Sequence, residues 1–418
     1  MKKIICNILV IMCIITLNTS VFASTYIYPI ESEKNVTSKK EEKDASSIST
    51  ESKAVTPEFN FESQAQILIE PYTLQVLYEN NADEHLKPAS VTKVMTLLLA
   101  MEEIDKGNLK YDDLVTCSEN ASTMGGSQIW FKPGETLTVD ECLKAICVVS
   151  ANDVTVALAE HIAGTEENFV ARMNEKAKEL GMNNTCFKNC HGIDEEGHYT
   201  CARDIALMSA EILTKHQAIT KYTTIWMDTL RNGTFELSNT NKLIKYYDGA
   251  IGLKTGFTTD AGYNLSFAAK RNDTMFIAVA MKAPSSQVRN KEVSALMDYA
   301  FATYESKKIY SSDYVIEKVK LSKNINDEVN IKIKDDISCL LPKGSKIETE
   351  NKITYEVDLK APLEKDTVVG KVEVFEKETS KLIGKSDLYI ENEVLKSSYV
   401  DYLKAFYKIL SNNNCWLI

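Results

Sequence analysis

Glycine and proline are scarce in this chain of 418 residues, which has 16 glycines and 8 prolines. These counts exclude collagen-like and proline-rich architectures. Basic residues are in the minority, since 48 Lys and Arg stand against 59 Asp and Glu, for a net charge of −11. Because a phosphate backbone binds a basic face, we expect no nucleic-acid partner. The rest of the composition, 44% hydrophobic and 26% charged, is that of an ordinary globular protein, and the length suggests two to three domains.

The apolar run near the amino terminus, Ile4 to Leu17, is shorter than the roughly 20 residues that a membrane-spanning helix needs. Two lysines precede it, and Val21-Phe22-Ala23 follows it as a cleavage pattern. This order predicts a signal peptide over residues 1–23, cut after Ala23, and therefore an exported protein. An uncleaved membrane anchor is the alternative.

Both ends of the remaining chain have their own character. Residues 24–58 are rich in Ser, Lys and Glu without apolar periodicity, which predicts a disordered linker. Residues 393–418 contain an amphipathic helix, with apolar and aromatic residues on one side and Lys404 and Lys408 on the other. Two interpretations stay open for this helix: it docks on its own domain, or it makes peripheral contact with a membrane surface.

The pattern of apolar and charged residues changes at about residue 305. Residues 59–305 mix strand-like alternation, including a hairpin around Pro71, with buried helical stretches at 91–104 and 143–162. This mixture predicts an α+β domain in which helices pack on an antiparallel sheet. Residues 306–392 alternate apolar and charged residues with a period of two, which predicts a small all-β domain with short strands. The expected strands are 315–321, 329–334, 353–359 and 371–375.

Three short motifs carry the strongest indication of chemistry. The Ser90-x-x-Lys93 motif places a serine and a lysine on one face of a helix. The Ser150-Ala151-Asn152 motif interrupts an apolar helical run, where buried polar side chains are costly unless they face a cleft. The Lys254-Thr255-Gly256 motif lies at the edge of a strand-like run, where glycine lets a ligand approach the backbone. In this order they form the motif set of serine β-lactamases and penicillin-binding proteins.

Residues 60–390 resemble a low-molecular-mass penicillin-binding protein, a serine-type D-alanyl-D-alanine carboxypeptidase with an appended β domain. The resemblance implies a β-lactamase/transpeptidase-like antiparallel sheet with helices on both sides, followed by the small all-β domain. It also implies peptidoglycan stem peptides as substrates, β-lactams as inhibitors, no cofactor, and a place at the outer face of the cytoplasmic membrane or in the cell wall. Phe257 and the run from Pro284 to Asn290 look most like enzymes of Gram-positive spore formers.

The first two motifs can be assigned roles in acyl transfer. Serine needs an adjacent base to act as a nucleophile, and burial lowers the pKa of a lysine until it can be that base. We expect Ser90 to be acylated and Lys93 to be the general base, with Lys254 lowering the pKa of Lys93 further. Ser150 would relay a proton to the departing amine. Asn152 would hold Lys93 and the peptide bond of the substrate.

The third motif suits the end of the substrate. Lys254 and Thr255 together fit a terminal carboxylate, which explains specificity for a carboxyl-terminal D-alanine, and Gly256 lets the substrate approach the strand. The resemblance places the oxyanion hole at the backbone N–H groups of Ser90 and Phe257. Such donors are typically worth ~3 kcal/mol of barrier each.

Two other functions remain as alternatives. A class A β-lactamase carries the same three motifs, but its E-x-x-L-N pattern does not occur between Asn152 and Lys254, and the β domain is foreign to it. A catalytically inactive penicillin-binding scaffold of the cell wall is the second alternative, which the complete motif set disfavours.

Cysteines and histidines suggest a third alternative, a zinc-binding module. Eight cysteines follow Ala23, an even number that permits disulfides without revealing their pairing. The cluster between Cys186 and Cys201 matches no defined zinc pattern and resembles the family's loop over the active site, so we expect no metal. We expect structural roles for four polar residues in and after this loop, namely His191, Asp194, Arg203 and Asp204. We expect Arg289 to lie beside the carboxylate pocket.

Overall fold

The computed structural model describes residues 58–324 and 328–412. The predicted signal peptide, and the predicted linker except its last residue, lie outside this part of the chain. The helices are α1 Lys93–Asp105, α2 Glu119–Ser122, α3 Val139–Val149, α4 Asn152–Ala163, α5 Glu166–Glu179, α6 Ala202–Lys215, α7 Thr220–Thr223, α8 Leu243–Tyr246, α9 Ser286–Thr303 and α10 Tyr399–Asn412. Two 3-10 turns, Ala89–Thr92 and Gln217–Ile219, accompany them.

The strands alternate with these helices and then dominate the last third of the chain. They are β1 Ala65–Glu70, β2 Gln75–Asn80, β3 Leu114–Thr116, β4 Thr136–Thr138, β5 Met227–Leu230, β6 Phe235–Ser238, β7 Ala250–Thr258, β8 Gly262–Arg271, β9 Thr274–Ala283, β10 Tyr304–Tyr310, β11 Val315–Lys320, β12 Glu328–Ile333, β13 Ile337–Pro342, β14 Thr349–Tyr355, β15 Val368–Glu376 and β16 Leu382–Ile390.

A five-stranded antiparallel sheet, in the order β2-β1-β9-β8-β7, forms the centre of the first region. Side chains alternate between the two faces of a strand, and β9 uses both faces. Ile277 and Val279 pack in a core with residues of α1, α3, α4, α5 and α6. Phe276 and Ala278 pack in a second core with α9. Helices therefore cover both faces of the sheet, and the predicted α+β fold is confirmed.

The first motif lies where a 3-10 turn, Ala89–Thr92, runs into α1. Ala89 has a φ of +48°, a left-handed conformation that is uncommon outside glycine. The first ten residues of α1 are buried, as its apolar sequence predicts. Lys93 begins the helix and is therefore presented to the protein interior, one turn after Ser90.

The second motif lies at the predicted break between two buried helices. A capping box formed by Thr138 and Glu141 begins α3, and Ser150 ends it with a φ of +64°. A left-handed residue at a helix end is usually glycine. Since α4 begins at Asn152, this two-residue break points polar side chains from two helix ends toward one place.

A second five-stranded antiparallel sheet, in the order β11-β12-β16-β15-β14, and the β10–β13 pair make up the region after α9. Ile331, Val372 and Leu388 are fully buried in its core. The strand predicted at 353–359 is wrong in extent, because β14 ends at Tyr355 and the backbone turns at Asp358, whose carbonyl accepts the Lys360 N–H at 2.8 Å. β13 and β16 lacked a clear alternation and were not predicted.

The predicted amphipathic helix at the carboxyl end is α10. Ser398 caps it, since the Asp401 N–H donates to the Ser398 Oγ and the Asp401 carboxylate accepts from Ser398. Phe406 is 57% exposed and Tyr407 71%, so these two side chains are not packed against the neighbouring domain. Within residues 58–324 and 328–412, no helix has the length and apolar character needed to cross a membrane.

Candidate active site

Ser90 and Lys93 are in direct contact at the start of α1. The Lys93 Nζ lies 2.9 Å from the Ser90 Oγ, 2.6 Å from the Asn152 Oδ1 and 2.6 Å from the backbone oxygen of His191. The two carbonyl oxygens can only accept hydrogen bonds, so they take two N–H groups of the amine. A neutral amine has only two, and its lone pair is then free to accept the Ser90 hydroxyl proton.

The surroundings of Lys93 favour this neutral form. Its side chain is fully buried, and burial lowers the pKa of Lys93 well below its usual value. The Lys254 ammonium lowers that pKa further, as the sequence predicted. Burial also lowers the pKa of Lys254 to about 7, with an added contribution from the Arg289 guanidinium.

The second motif supplies one anchored and one free polar group. Besides accepting from Lys93, the Asn152 side chain donates to the Gly125 carbonyl at 2.6 Å, and its backbone N–H donates to the Ser127 carbonyl at 2.7 Å. Ser150 is only 3% exposed, and its Oγ has no hydrogen-bond partner within the described residues. A buried hydroxyl without a partner is costly, so this one is available to a bound group.

The third motif lies on β7, an edge strand of the sheet. The Lys254 Nζ donates to the Thr255 carbonyl at 3.0 Å, and the Thr255 Oγ1 lies 2.7 Å from the Thr240 Oγ1. Phe257 is 54% exposed, and its ring packs on Tyr263 with the centroids 4.3 Å apart.

Gly256 brings β7 close to the segment that carries Ser90. A Cβ at this position would lie 2.7 Å from the Pro88 carbonyl oxygen and 3.1 Å from the Ser90 backbone nitrogen. Since real Cβ contacts of 2.7 Å essentially do not occur, only glycine fits without a shift of the backbone.

A cleft of about 310 Å³ joins these groups. Of the residues predicted for the site, five line the cleft, whereas Lys93, Asn152 and Lys254 lie behind the lining; the five are Ser90, Ser150, Thr255, Gly256 and Phe257. Sequence reasoning missed six further lining residues, namely Ser127, Thr240, Lys242, Tyr263, Ser286 and Asn290. Tyr263 had a usable signal, because it follows the third motif and pairs with Phe257 across β7 and β8. Ser286 and Asn290 lie in the run from Pro284 to Asn290 that the family resemblance singled out without giving it a role in the site, and the other three come from segments without a pattern.

The loop between Cys186 and Cys201 lies against Lys93, and none of its residues lines the cleft. Its Gly192 lies against the Ala89 carbonyl, where a Cβ would be 1.9 Å away, and the neighbouring His191 carbonyl accepts from Lys93. The loop that was predicted to lie over the active site is therefore in direct contact with Lys93 and with the Ala89 carbonyl. In the described residues, all seven cysteines are free thiols, and no group of three His, Cys, Asp or Glu side chains could hold a metal ion. Cys415 lies outside them.

The polar residues expected to be structural make contacts of that kind. Arg203 pairs with Glu79 at 2.6 Å and Asp83 at 2.7 Å, tying α6 to the hairpin region. The Asp204 carboxylate accepts the Asn184 N–H at 2.8 Å.

Burial lowers the pKa of His191 to about 3, which keeps its ring neutral. Asp194 contributes a negative charge near Lys87. Arg289 lines the cleft beside Asn290.

Comparison with known proteins places this geometry in a class. Residues 50–285 match the D-alanyl-D-alanine carboxypeptidase family, and residues 304–396 match the penicillin-binding protein 5 C-terminal domain. The D-alanyl-D-alanine carboxypeptidase DacF of Bacillus subtilis is 42% identical over 84% of this chain and 90% of its own length. The DacC enzyme of Escherichia coli is 32% identical over 75% of this chain and 80% of its own length.

Solved structures agree with the sequence comparison. Penicillin binding protein 5 from Haemophilus influenzae superposes with a TM-score of 0.64 and 30% identity, covering 82% of this chain and 100% of that one. Penicillin-binding protein D2 from Listeria monocytogenes, in its ampicillin-bound form, gives 0.54 and 28%, covering 59% and 100%. The fold is therefore that of low-molecular-mass penicillin-binding proteins. The chain belongs to the D-alanyl-D-alanine carboxypeptidase family, and the resemblance predicted from its motifs is confirmed.

Proposed function

We propose that this protein removes the terminal D-alanine from peptidoglycan stem pentapeptides through an acyl-Ser90 intermediate. The observation that carries the proposal is the contact between a buried Lys93 and the Ser90 hydroxyl, with both amine hydrogens of a neutral Lys93 directed to carbonyl oxygens. The family to which the chain belongs supports the reaction. The ampicillin-bound and cefotaxime-bound structures of similar proteins support β-lactams as inhibitors.

The reaction begins with proton transfer from the Ser90 hydroxyl to Lys93, while the Ser90 oxygen attacks the carbonyl carbon of the last peptide bond. The tetrahedral oxyanion faces the backbone N–H groups of Ser90 and Phe257. Ser150, whose hydroxyl is otherwise without a partner, then passes the proton from Lys93 to the leaving amine of D-alanine. In the second half of the cycle water attacks the acyl carbon and gives a proton to Lys93, the bond from that carbon to the Ser90 Oγ breaks, and Lys93 returns the proton to Ser90.

The β7 end of the cleft accounts for the need for a free carboxylate. Thr255, Thr240 and Arg289 line this end, and the Lys254 ammonium lies directly behind it. Arg289 and Lys254 are both nearly fully buried, so their positive charges act in a region of low dielectric. A chain ending in D-alanine brings a carboxylate to these groups, and an internal peptide bond does not.

Two measurements test this function. Incubation with a labelled penicillin followed by peptide mapping should place the label on Ser90, and label elsewhere would refute the mechanism. Incubation with diacetyl-Lys-D-Ala-D-Ala should release D-alanine. Labelling of Ser90 without D-alanine release would instead favour the inactive scaffold.

We also propose the organisation of the chain and its location. Residues 59–305 would form the catalytic domain, residues 306–392 the β domain and residues 393–418 a peripheral membrane contact, with the protein exported to the outer face of the cytoplasmic membrane or the cell wall. The exposed aromatic side chains of α10, with Lys404 in the same helix, support the membrane contact.

A further inference from the structure

Asn264 is a buried residue outside the three motifs that reaches the nucleophile segment. It lies on β8 directly opposite Gly256 of β7 and is fully buried. Its side-chain Nδ2 donates to the Lys87 carbonyl at 2.8 Å and to the Pro88 carbonyl at 3.0 Å. Both amide hydrogens therefore go to the two residues that precede the Ala89–Ser90 turn.

The other polar groups of Asn264 are also engaged. The side-chain Oδ1 accepts the Lys282 N–H at 2.7 Å, and the backbone oxygen accepts from Arg289 Nη1 at 3.3 Å. Asn264 does not line the cleft, and its amide has no hydrogen left to offer a substrate. Any effect of Asn264 on the reaction must therefore pass through the backbone that it holds.

The backbone that it holds carries one of the two donors of the oxyanion hole. The Ser90 N–H belongs to the segment that begins with Lys87 and Pro88. The Phe257 N–H belongs to β7 and comes directly after Gly256. The missing Cβ of Gly256 lets the two segments approach, but it supplies no attraction between them. The two hydrogen bonds from Asn264 supply that attraction, because β8 is fixed to β7 by the sheet while the Asn264 amide is bonded to residues 87 and 88.

We propose that Asn264 is a positioning residue that sets the separation of the Ser90 and Phe257 N–H groups. The inference rests on the proposed function, since it concerns the oxyanion of that reaction. Without the Asn264 amide, the half-buried Lys87 carbonyl and the buried Pro88 carbonyl lose this donor, and the segment before Ser90 is free to move away from β7. A displacement of about 1 Å at a reacting centre costs on the order of 100-fold in rate.

The test compares the purified wild type with Asn264→Ala and Asn264→Asp, which keeps the acceptor for Lys282 but cannot donate. Both variants should lose roughly 100-fold in kcat for diacetyl-Lys-D-Ala-D-Ala with KM nearly unchanged. A peptide boronic acid, which forms a tetrahedral adduct with the nucleophile, should lose affinity by the same factor as kcat/KM. The fraction of chains that labelled penicillin finally acylates should stay at the wild-type level.

Asn80→Ala is the control. The Asn80 Nδ2 donates to the side-chain oxygen of Gln66 at 3.0 Å, which ties β2 to β1 at the edge of the sheet opposite β7. This variant should lower the thermal midpoint and leave kcat and boronate affinity unchanged. The inference is overturned if kcat falls without the boronate affinity, if the loss only mirrors a smaller labelled fraction, or if Asn264→Ala keeps kcat. A wild type that neither labels at Ser90 nor releases D-alanine would instead refute the proposed function.

Discussion

The side-chain oxygen of Asn152 accepts a 2.6 Å hydrogen bond from the ammonium-forming nitrogen of Lys93. This bond joins the start of α1 to the start of α4. It takes one of the two hydrogens of a neutral Lys93 and so helps to direct the lone pair of the amine to Ser90. The charge at residue 152 should therefore control the protonation of the base.

We expect Asn152→Asp to be more damaging near neutral pH than Asn152→Ala. A carboxylate beside Lys93 raises the pKa of the lysine and holds it in the protonated, inactive form. The variant should lose about 100-fold or more in kcat/KM and recover part of it as the pH rises. The pH dependence of D-alanine release measures this effect, and an unchanged acidic limb in Asn152→Asp would contradict the assignment of Lys93 as base.

The alkaline limb of kcat/KM should lie near pH 7. Burial lowers the pKa of Lys254 to about 7, so the free enzyme loses this cation, and with it carboxylate binding, as the pH rises through that value. A bound carboxylate favours the charged form, so the limb in kcat should lie at higher pH. Lys254→Arg, which stays charged, should remove the limb near 7. Profiles that coincide in the wild type and this variant would exclude Lys254 as the titrating group.

Ser150→Ala should separate stability from activity. The Ser150 hydroxyl is buried without a partner, and leaving a polar group unsatisfied costs about 1–3 kcal/mol, so its removal should leave the protein as stable or slightly more stable. Proton relay is worth on the order of 100-fold or more, so kcat should fall by that factor. Thermal unfolding and D-alanine release check the two halves. A large drop in the thermal midpoint would show that the hydroxyl has a structural partner.

Asp153 should matter for stability through the segment that forms one wall of the cleft. It is fully buried, and its carboxylate accepts the backbone N–H groups of Ile129 and Phe131, each at 3.0 Å. Asp153→Ala leaves both donors unsatisfied and should cost about 3 kcal/mol. Denaturant unfolding measures the loss. Glu119→Ala, on an exposed helix, is the control that should leave the free energy of unfolding nearly unchanged.

Removing residues 399–418 should abolish binding to anionic vesicles and leave D-alanine release intact. The deletion takes away α10, whose Tyr399, Phe406 and Tyr407 are largely exposed. Vesicle sedimentation measures the first effect. Substituting Phe406 and Tyr407 by Ser in the full chain is the milder control and should weaken binding in the same direction. Sedimentation that does not change would leave α10 without a membrane role.

How far the sequence predicts this molecule depends on the range of each contact. Ser90 and Lys93 are three residues apart, so helix geometry alone placed them together, and the apolar run after them placed the pair at a buried helix start. The break at Ser150 was visible as polar residues within an apolar stretch. Its left-handed conformation was not, because serine gives no sign of the positive φ that glycine would have given.

The missed parts depend on contacts between distant segments. Nothing near His191 shows that its backbone oxygen accepts from Lys93, since any residue carries that oxygen. Asn264 bonds to residues 87 and 88, and only the pairing of β7 with β8 brings it there. In the β domain, Gly384 interrupts the alternation of apolar and polar residues that would have predicted β16. This strand joins the sheet by pairing with β12 and β15.

The close approach of Gly256 to Ser90 also means that the cleft is complete only in a folded chain. The two residues are 166 positions apart in sequence, so the contact between them closes a long stretch of chain. Contacts so distant in sequence form late and slowly in folding. Under the proposed function, acylation by penicillin therefore counts only chains in which this region has folded, so a labelled antibiotic can follow the folding of the protein in time.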